Sequence, residues 1–75
     1  MEDLTSYLKK REIHKMDFII YETLKTRPFT SVRVMTNLLG FEYERVRTSL
    51  IRLEQLKLIC VDDTSYPKTY YIEDD

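Results

Sequence analysis

Residues 41–59 read FEYERVRTSLIRLEQLKLI, and this stretch decides which fold the chain can adopt. At about 100° per residue, Val46, Leu50 and Leu53 lie on one face of a helix. The opposite face and its flanks carry polar side chains, three of them arginines: Glu44, Arg45, Arg47, Thr48, Arg52 and Gln55. The spacing therefore predicts an amphipathic helix over about residues 42–57, with Leu50 and Leu53 fully buried and an arginine-bearing face in solvent.

A second helix precedes this one and is separated from it by a tight turn. Gly40 follows the apolar pair Leu38-Leu39, and glycine adopts the left-handed conformation of a helix C-cap without steric cost. Thr30 or Ser31 provides the N-cap of this second helix. Two helices joined by a tight glycine turn, the second with arginines on its free face, form the helix-turn-helix pattern.

A first helix is predicted upstream, from Asp3 or Thr5 to Thr26, because this region has helical spacing and neither glycine nor proline. Its core-facing stripe consists of Ile13, Met16, Ile20 and Leu24. Residues 9–12 (KKRE) are polar all round, so a break there, with residues 1–12 as an N-terminal helical extension, stays open. Proline at position 28 ends the helix, since the residue before proline avoids the helical region.

The first helix also has an apolar stripe on its far side. A helix that is apolar on two sides, in a domain with a small core, favours a homodimer through helix 1. The alternative, that these side chains only cap the edge of the core, is equally compatible with the spacing. The predicted interface residues are Leu4, Tyr7, Leu8, Phe18 and Tyr21.

Beyond Lys57 the pattern changes from helical to β. The segments Leu58–Val61 and Thr69–Ile72 are apolar, β-branched or aromatic, and the residues between them have turn chemistry. This predicts a hairpin with a loop of about six residues, followed by a frayed acidic tail over residues 73–75. The chain is thus expected to be one α+β domain over residues 1–75, with three helices followed by a hairpin.

Charge is distributed unevenly along the chain. The net charge is −1, yet residues 25–57 hold seven basic residues against three acidic ones, a local balance of about +4. From Asp62 onward the sign reverses, with five acids against Lys68 alone. The basic charge thus lies on the helix-turn-helix segment, and such clustering is the electrostatic footprint of nucleic-acid binding. The single cysteine and the lack of a long apolar run or signal-peptide core predict a cytoplasmic protein without a membrane span.

The order of elements resembles the winged helix-turn-helix family over roughly residues 16–72. The most specific part of the resemblance is the spacing of Leu39-Gly40-Phe41, Val46, Leu50, Leu53 and Leu58-Ile59, which is similar to that of arsenic-repressor-type and multiple-antibiotic-resistance-type regulators. The small size and tyrosine-rich last strand are similar to compact winged-helix regulators of archaeal viruses and plasmids. The resemblance implies a sequence-specific, double-stranded DNA-binding transcriptional regulator, with helix 3 in the major groove and the hairpin as a wing on the backbone.

The chain departs from the family pattern at Lys57 and in the charge of the wing. Lys57 stands where the family usually has glycine, which predicts a strained exit from helix 3. The wing carries Asp62 and Asp63 with one base, Lys68, so contact between the wing and phosphates stays open.

The residue types define candidate DNA contacts. Arginine can bond guanine or phosphate through two parallel hydrogen bonds, and the start of helix 2 can hold a phosphate. The predicted DNA-binding residues are Thr30, Ser31, Arg33, Tyr43, Glu44, Arg45, Arg47, Thr48, Arg52 and Lys68. In the alternative, the arginines are solvated surface charges and the chain is a winged-helix protein–protein interaction module.

Groups for catalysis or metal binding are sparse in the sequence. His14 is the one histidine and has no cysteine or histidine at metal-ligand spacing. Cys60 lies in a predicted apolar strand and is expected to be a small, inert core residue. We therefore expect no enzyme, no cofactor and no metal, with double-stranded DNA as the partner.

Overall fold

The computed structural model describes residues 13–64 and 66–73, which form three helices followed by a two-stranded antiparallel hairpin. In chain order these elements are α1 (Lys15–Thr26), α2 (Val32–Leu39), α3 (Tyr43–Gln55), β1 (Cys60–Asp62) and β2 (Thr69–Tyr71). The predicted α+β class is confirmed, and the layout is compatible with a winged helix. The predicted extension over residues 1–12 and residues 74–75 of the predicted tail lie outside the described residues.

The start of α1 differs from the continuous helix predicted over residues 3–26. Ile13 and His14 are not helical, and His14 is the extended N-cap residue of α1. Its main-chain N–H donates to Oδ2 of Asp17 at 3.1 Å. The continuous helix is therefore wrong, and α1 begins at Lys15, after the polar KKRE segment. Helical periodicity alone does not show this, because Asp17 caps a new helix start from three residues downstream.

The two caps predicted around α2 are confirmed. Oγ of Ser31 accepts a hydrogen bond from the N–H of Val34 at 3.2 Å. Gly40 has the left-handed conformation, φ 72° and ψ 19°, and its N–H donates to the carbonyl of Thr36 at 2.8 Å. Glu42 then precedes α3 as an extended N-cap whose side chain makes no capping hydrogen bond. A tight glycine turn therefore sets the angle between α2 and α3.

At its other end, α3 finishes in a Schellman motif. The N–H of Leu58 donates to the carbonyl of Leu53 at 3.0 Å, and the N–H of Lys57 donates to the carbonyl of Glu54 at 2.9 Å. Lys57 has φ 63°, the left-handed region that normally selects glycine. This confirms the strained exit, which costs about 1–2 kcal/mol for a residue with a Cβ atom.

The hairpin joins the helices through one extra pairing. β1 and β2 pair in the register Cys60↔Tyr71, Val61↔Tyr70 and Asp62↔Thr69, and the hairpin loop joins Asp62 to Thr69. Each strand is one residue shorter than predicted, and β1 begins two residues later than predicted and includes Asp62. Leu58 belongs to the helix exit instead. Thr30 adds a β-bridge that the sequence does not predict. Its N–H donates to the carbonyl of Tyr70 at 3.1 Å, and the N–H of Tyr70 donates to the carbonyl of Thr30 at 2.9 Å. The segment between α1 and α2 is thus fastened to β2.

The core lies between the three helices and the inner side of the hairpin. Its buried apolar residues are Ile13, Ile20, Leu24, Met35, Val46, Leu50, Leu53, Ile59 and Tyr70. The predicted burial of Leu50 and Leu53 is confirmed. Met16 is only partly buried, because Asp17 occupies the centre of the α1 stripe. Cys60 is partly buried at the edge of the hairpin, with Sγ 3.8 Å from Oε2 of Glu73, so its predicted place in the core is wrong.

Candidate nucleic-acid interface

The polar face of α3 points to solvent because the opposite face is locked into the core. The 13-residue helix is about 20 Å long at 1.5 Å per residue. Its exposed residues among those predicted to contact DNA are Tyr43, Glu44, Arg45, Arg47 and Thr48. Ile51 lies on the same side and is partly buried. The helix therefore presents a continuous strip of hydrogen-bonding side chains.

One side of this strip opens into a groove between α2, α3 and the hairpin, here called the hairpin groove. This groove has a volume of about 770 Å³. It is lined by Arg33 from α2, Arg47 from α3 and Lys68 from the hairpin loop. Among its described lining residues, Glu54 is the one acid. Three cations from separate parts of the sequence therefore converge beside the exposed face of α3.

Tyr70 lies at the inner wall of the hairpin groove. Burial raises the pKa of its phenol above the ordinary value, the carboxylate of Glu54 adds to the rise, and Arg47 opposes it. The hydroxyl therefore keeps its proton at neutral pH, so this wall of the groove adds no negative charge.

The other side of α3 borders a second groove, against the start of α1. Glu44, Arg45 and Thr48 line it together with His14 and Met16. Arg45 and Arg47 therefore border different grooves on the two sides of the α3 strip.

Arg52 does not face solvent as predicted. Its Nη1 lies 2.8 Å from Oδ1 and 2.7 Å from Oδ2 of Asp17, and Ser49 donates a further hydrogen bond to Oδ1. The Asp17 side chain is fully buried, whereas that of Arg52 is 31% exposed. A buried carboxylate needs a cationic partner, so Arg52 is drawn into the α1–α3 contact.

Two of the three residues predicted to hold a phosphate at the start of α2 are buried. Thr30 and Ser31 are buried, and their side chains are engaged within the chain. The Thr30 hydroxyl donates to the carbonyl of Arg27, and the Ser31 hydroxyl caps α2. Arg33 is exposed. Of the three residues predicted to meet a phosphate there, Arg33 is therefore the one with a free side chain on the surface.

The predicted dimer residues divide into two groups. Leu4, Tyr7 and Leu8 lie outside the described residues. Phe18 and Tyr21 are partly buried, and Nζ of Lys25 lies 5.3 Å from the centroid of the Tyr21 ring. Ile19, which the spacing does not single out, is 42% exposed beside Phe18. The outward side of α1 therefore carries more apolar surface than the sequence pattern indicates.

Asp17 is absent from the predicted site, although the sequence carries a signal for it. It lies four residues after Ile13 and three before Ile20, on the same helical face. An acid inside an apolar stripe requires a cation from the facing helix. Arg52 and Ser49, on α3, meet that requirement.

Within residues 13–64 and 66–73, no helix combines the length and the apolar character that crossing a membrane requires. No protein-family model, curated protein or solved structure matches the chain.

Proposed function

We propose that the chain is a winged helix-turn-helix transcriptional regulator that binds double-stranded DNA sequence-specifically, with α3 in the major groove. The observation that carries this proposal is the strip of exposed polar residues on α3, with Arg45 and Arg47 on its two sides. Arg33 and Lys68 line the same groove as Arg47, so further cations adjoin the strip.

The geometry fits the dimensions of duplex DNA. A major groove about 12 Å wide admits one α-helix. The inner side of α3 is held to the protein by its apolar face and by the contacts of Arg52 and Ser49 with Asp17, so its polar face is left for DNA. In this pose the guanidinium of Arg45 or Arg47 bonds the O6 and N7 acceptors of guanine. Thr48 reaches a base edge, and Glu44 accepts from the amino group of cytosine.

Backbone contacts fall to the residues around the hairpin groove. Arg33 and Lys68 are exposed and have no acidic partner within salt-bridge distance among the described residues. Each can therefore neutralise a phosphate and fix the register of α3 without reading sequence. Because the whole chain is slightly acidic, non-specific affinity is weak and base contacts supply most of the discrimination.

The test replaces both arginines that border the α3 strip. Duplexes selected from a random library by the wild-type chain are titrated with Arg45→Ala/Arg47→Ala, using fluorescence anisotropy. Removing a base-reading arginine costs about 1–3 kcal/mol of binding free energy, so the double variant loses most specific binding. Lys15→Ala/Arg27→Ala removes the same charge from exposed residues at the two ends of α1 and is the matched control. Unchanged duplex binding by a folded Arg45→Ala/Arg47→Ala variant contradicts the proposal.

The proposal includes a homodimer formed through α1. Exposed Ile19 and partly buried Phe18 both lie away from the buried face of α1. A two-fold axis there would match a palindromic DNA site whose half-sites are about one turn apart.

Sedimentation of the chain at about tens of micromolar, a range in which weak dimers form, tests this assembly. We expect Phe18→Glu to produce monomers, because a charge cannot be buried in an apolar interface without a partner. Asn37→Glu, on the exposed side of α2, adds the same charge away from α1 and should leave the dimer intact. A wild-type chain that sediments as a monomer rules the dimer out.

A second candidate function is protein contact without DNA binding. Two exposed apolar residues on α2, Val34 at 49% and Leu38 at 42%, favour it. Winged-helix folds can serve as assembly modules as well as DNA readers. Two results together would favour this function instead. Selection from the random library yields no duplex, and Arg45→Ala/Arg47→Ala binds duplex DNA no more weakly than the wild-type chain.

A further inference from the structure

The hairpin has two faces of opposite chemistry. Side chains alternate across a strand, and Val61 and Tyr70, which pair in register, line the hairpin groove beside α3. The alternate positions therefore lie on the other side, here called the outer face. Their residues are Cys60, Asp62, Thr69 and Tyr71.

An aromatic pair stands on the outer face. The rings of Phe29 and Tyr71 are stacked, with centroids 4.8 Å apart and planes inclined by 24°. Phe29 is nevertheless 57% exposed. It has φ 59°, a conformation that bulky residues rarely adopt, and the neighbouring bridge of Thr30 to Tyr70 holds it in place. One ring face of Phe29 is covered by Tyr71, and much of the remaining ring surface meets solvent.

Carboxylates surround this aromatic pair. Phe29, Tyr71, Asp62 and Asp63 line one cavity of about 410 Å³, and its described lining residues include no base. Hydrogen bonds from the Oγ1 (2.6 Å) and N–H (3.0 Å) of Thr64 to Oδ1 of Asp62 lower the pKa of that carboxyl. Asp62 is therefore anionic at neutral pH.

The phenol of Tyr71 also lies on this face. Its pKa is raised, first by the neighbouring Cys60 thiol and then by burial, with Glu73 and Asp62 adding to the rise. The outer face thus combines an exposed aromatic ring with an anionic border, on the side of the hairpin away from the cationic groove.

We propose that the outer face is a docking site for an arginine-bearing segment of a partner protein. A guanidinium stacks on an aromatic ring and simultaneously bonds carboxylates through its planar fork, and Phe29 with Asp62 and Asp63 offers both partners. The same carboxylates repel a phosphate backbone, so charge complementarity excludes nucleic acid from this face. The site does not depend on the proposed DNA binding, and because it lies opposite the hairpin groove, both surfaces can be occupied together.

The probe for this site is a synthetic Gly-Arg-Gly-Arg-Gly peptide, titrated into the ¹⁵N-labelled full chain and followed by amide chemical shifts. We expect saturable shifts at Phe29, Asp62, Asp63 and Tyr71. The same peptide with citrulline in place of arginine keeps the shape but not the charge, and should not produce them. Phe29→Leu keeps an apolar side chain without a π face and should weaken binding about two- to fivefold.

A matched charge control separates this site from general attraction to an acidic protein. Asp62→Asn/Asp63→Asn should abolish the saturable shifts that the arginine peptide causes. Glu22→Gln/Glu42→Gln changes the net charge equally and should leave the affinity for the peptide unchanged. Asp63→Asn alone leaves the hydrogen bonds of Thr64 intact and should still weaken binding. Equal weakening by the two double variants, shifts located elsewhere, or the same outer-face shifts with duplex DNA would overturn the proposal.

Discussion

Gly40 and Lys57 have the same left-handed backbone conformation, one just before α3 and one just after it. At Gly40 the conformation is free of strain, and a Cβ atom built there meets nothing within 4 Å. At Lys57 the Schellman hydrogen bonds hold a residue with a Cβ atom in the same region. The two positions therefore isolate one physical term, the intrinsic cost of positive φ.

This term can be measured by exchanging residue types. Gly40→Ala should lower the free energy of unfolding by about 1–2 kcal/mol without any steric clash. Lys57→Gly should raise it by a smaller amount, because glycine also gains entropy in the unfolded chain. Urea denaturation measures both, and Lys57→Ala, which keeps the Cβ atom, is the control. Destabilisation by Lys57→Gly would contradict the strained exit.

At the scale of elements, Asp17 links three parts of the chain. Its Oδ2 accepts from the N–H of His14 and so begins α1, and both of its oxygens contact Arg52 on α3. Ser49 adds a hydrogen bond from the same helix. One buried carboxylate therefore starts α1 and sets the position of α3 relative to it.

The two sides of this ion pair should respond unequally to mutation. Arg52→Met leaves the buried Asp17 carboxylate without its cation and should cost about 3–5 kcal/mol of folding free energy. Asp17→Leu should cost less, because Arg52 is partly exposed and can turn toward water. The double variant Asp17→Leu/Arg52→Met should recover much of the loss. Thermal denaturation of all four chains measures the coupling, and additive losses would contradict a buried ion pair.

At the scale of the whole molecule, charge is segregated to opposite sides of the hairpin. Arg33, Arg47 and Lys68 line the groove beside α3, whereas Asp62 and Asp63 border the outer face. A net charge of −1 conceals this separation. The division allows one surface to attract phosphates while the other attracts cations.

The cationic side predicts a difference between two arginines. Arg33→Ala should weaken binding to all duplexes alike and reduce the slope of log affinity against log salt by about one, the signature of a lost phosphate contact. Arg47→Ala should instead relax the preference at one base pair. Anisotropy titrations over a range of KCl concentrations measure both effects. Altered base preference in Arg33→Ala would contradict the assignment of Arg33 to the backbone.

Local properties of the sequence were sufficient for much of the fold. The spacing of Val46, Leu50 and Leu53 determines which face of α3 is buried, and the backbone freedom of Gly40 determines the turn before it. Both depend on residues close together in the chain. The exposed side of α3, including Arg45 and Arg47, follows from that same periodicity.

Only the tertiary structure decided the partners of polar groups. Arg52 belongs to the polar face by periodicity, but it turns to Asp17, 35 residues away, because a buried carboxylate cannot remain without a cation. The meeting of Arg33, Arg47 and Lys68, and the stacking of Phe29 on Tyr71, likewise join residues from separate elements. Periodicity specifies the face on which a side chain lies, but the packing of other elements against that face determines what the side chain meets.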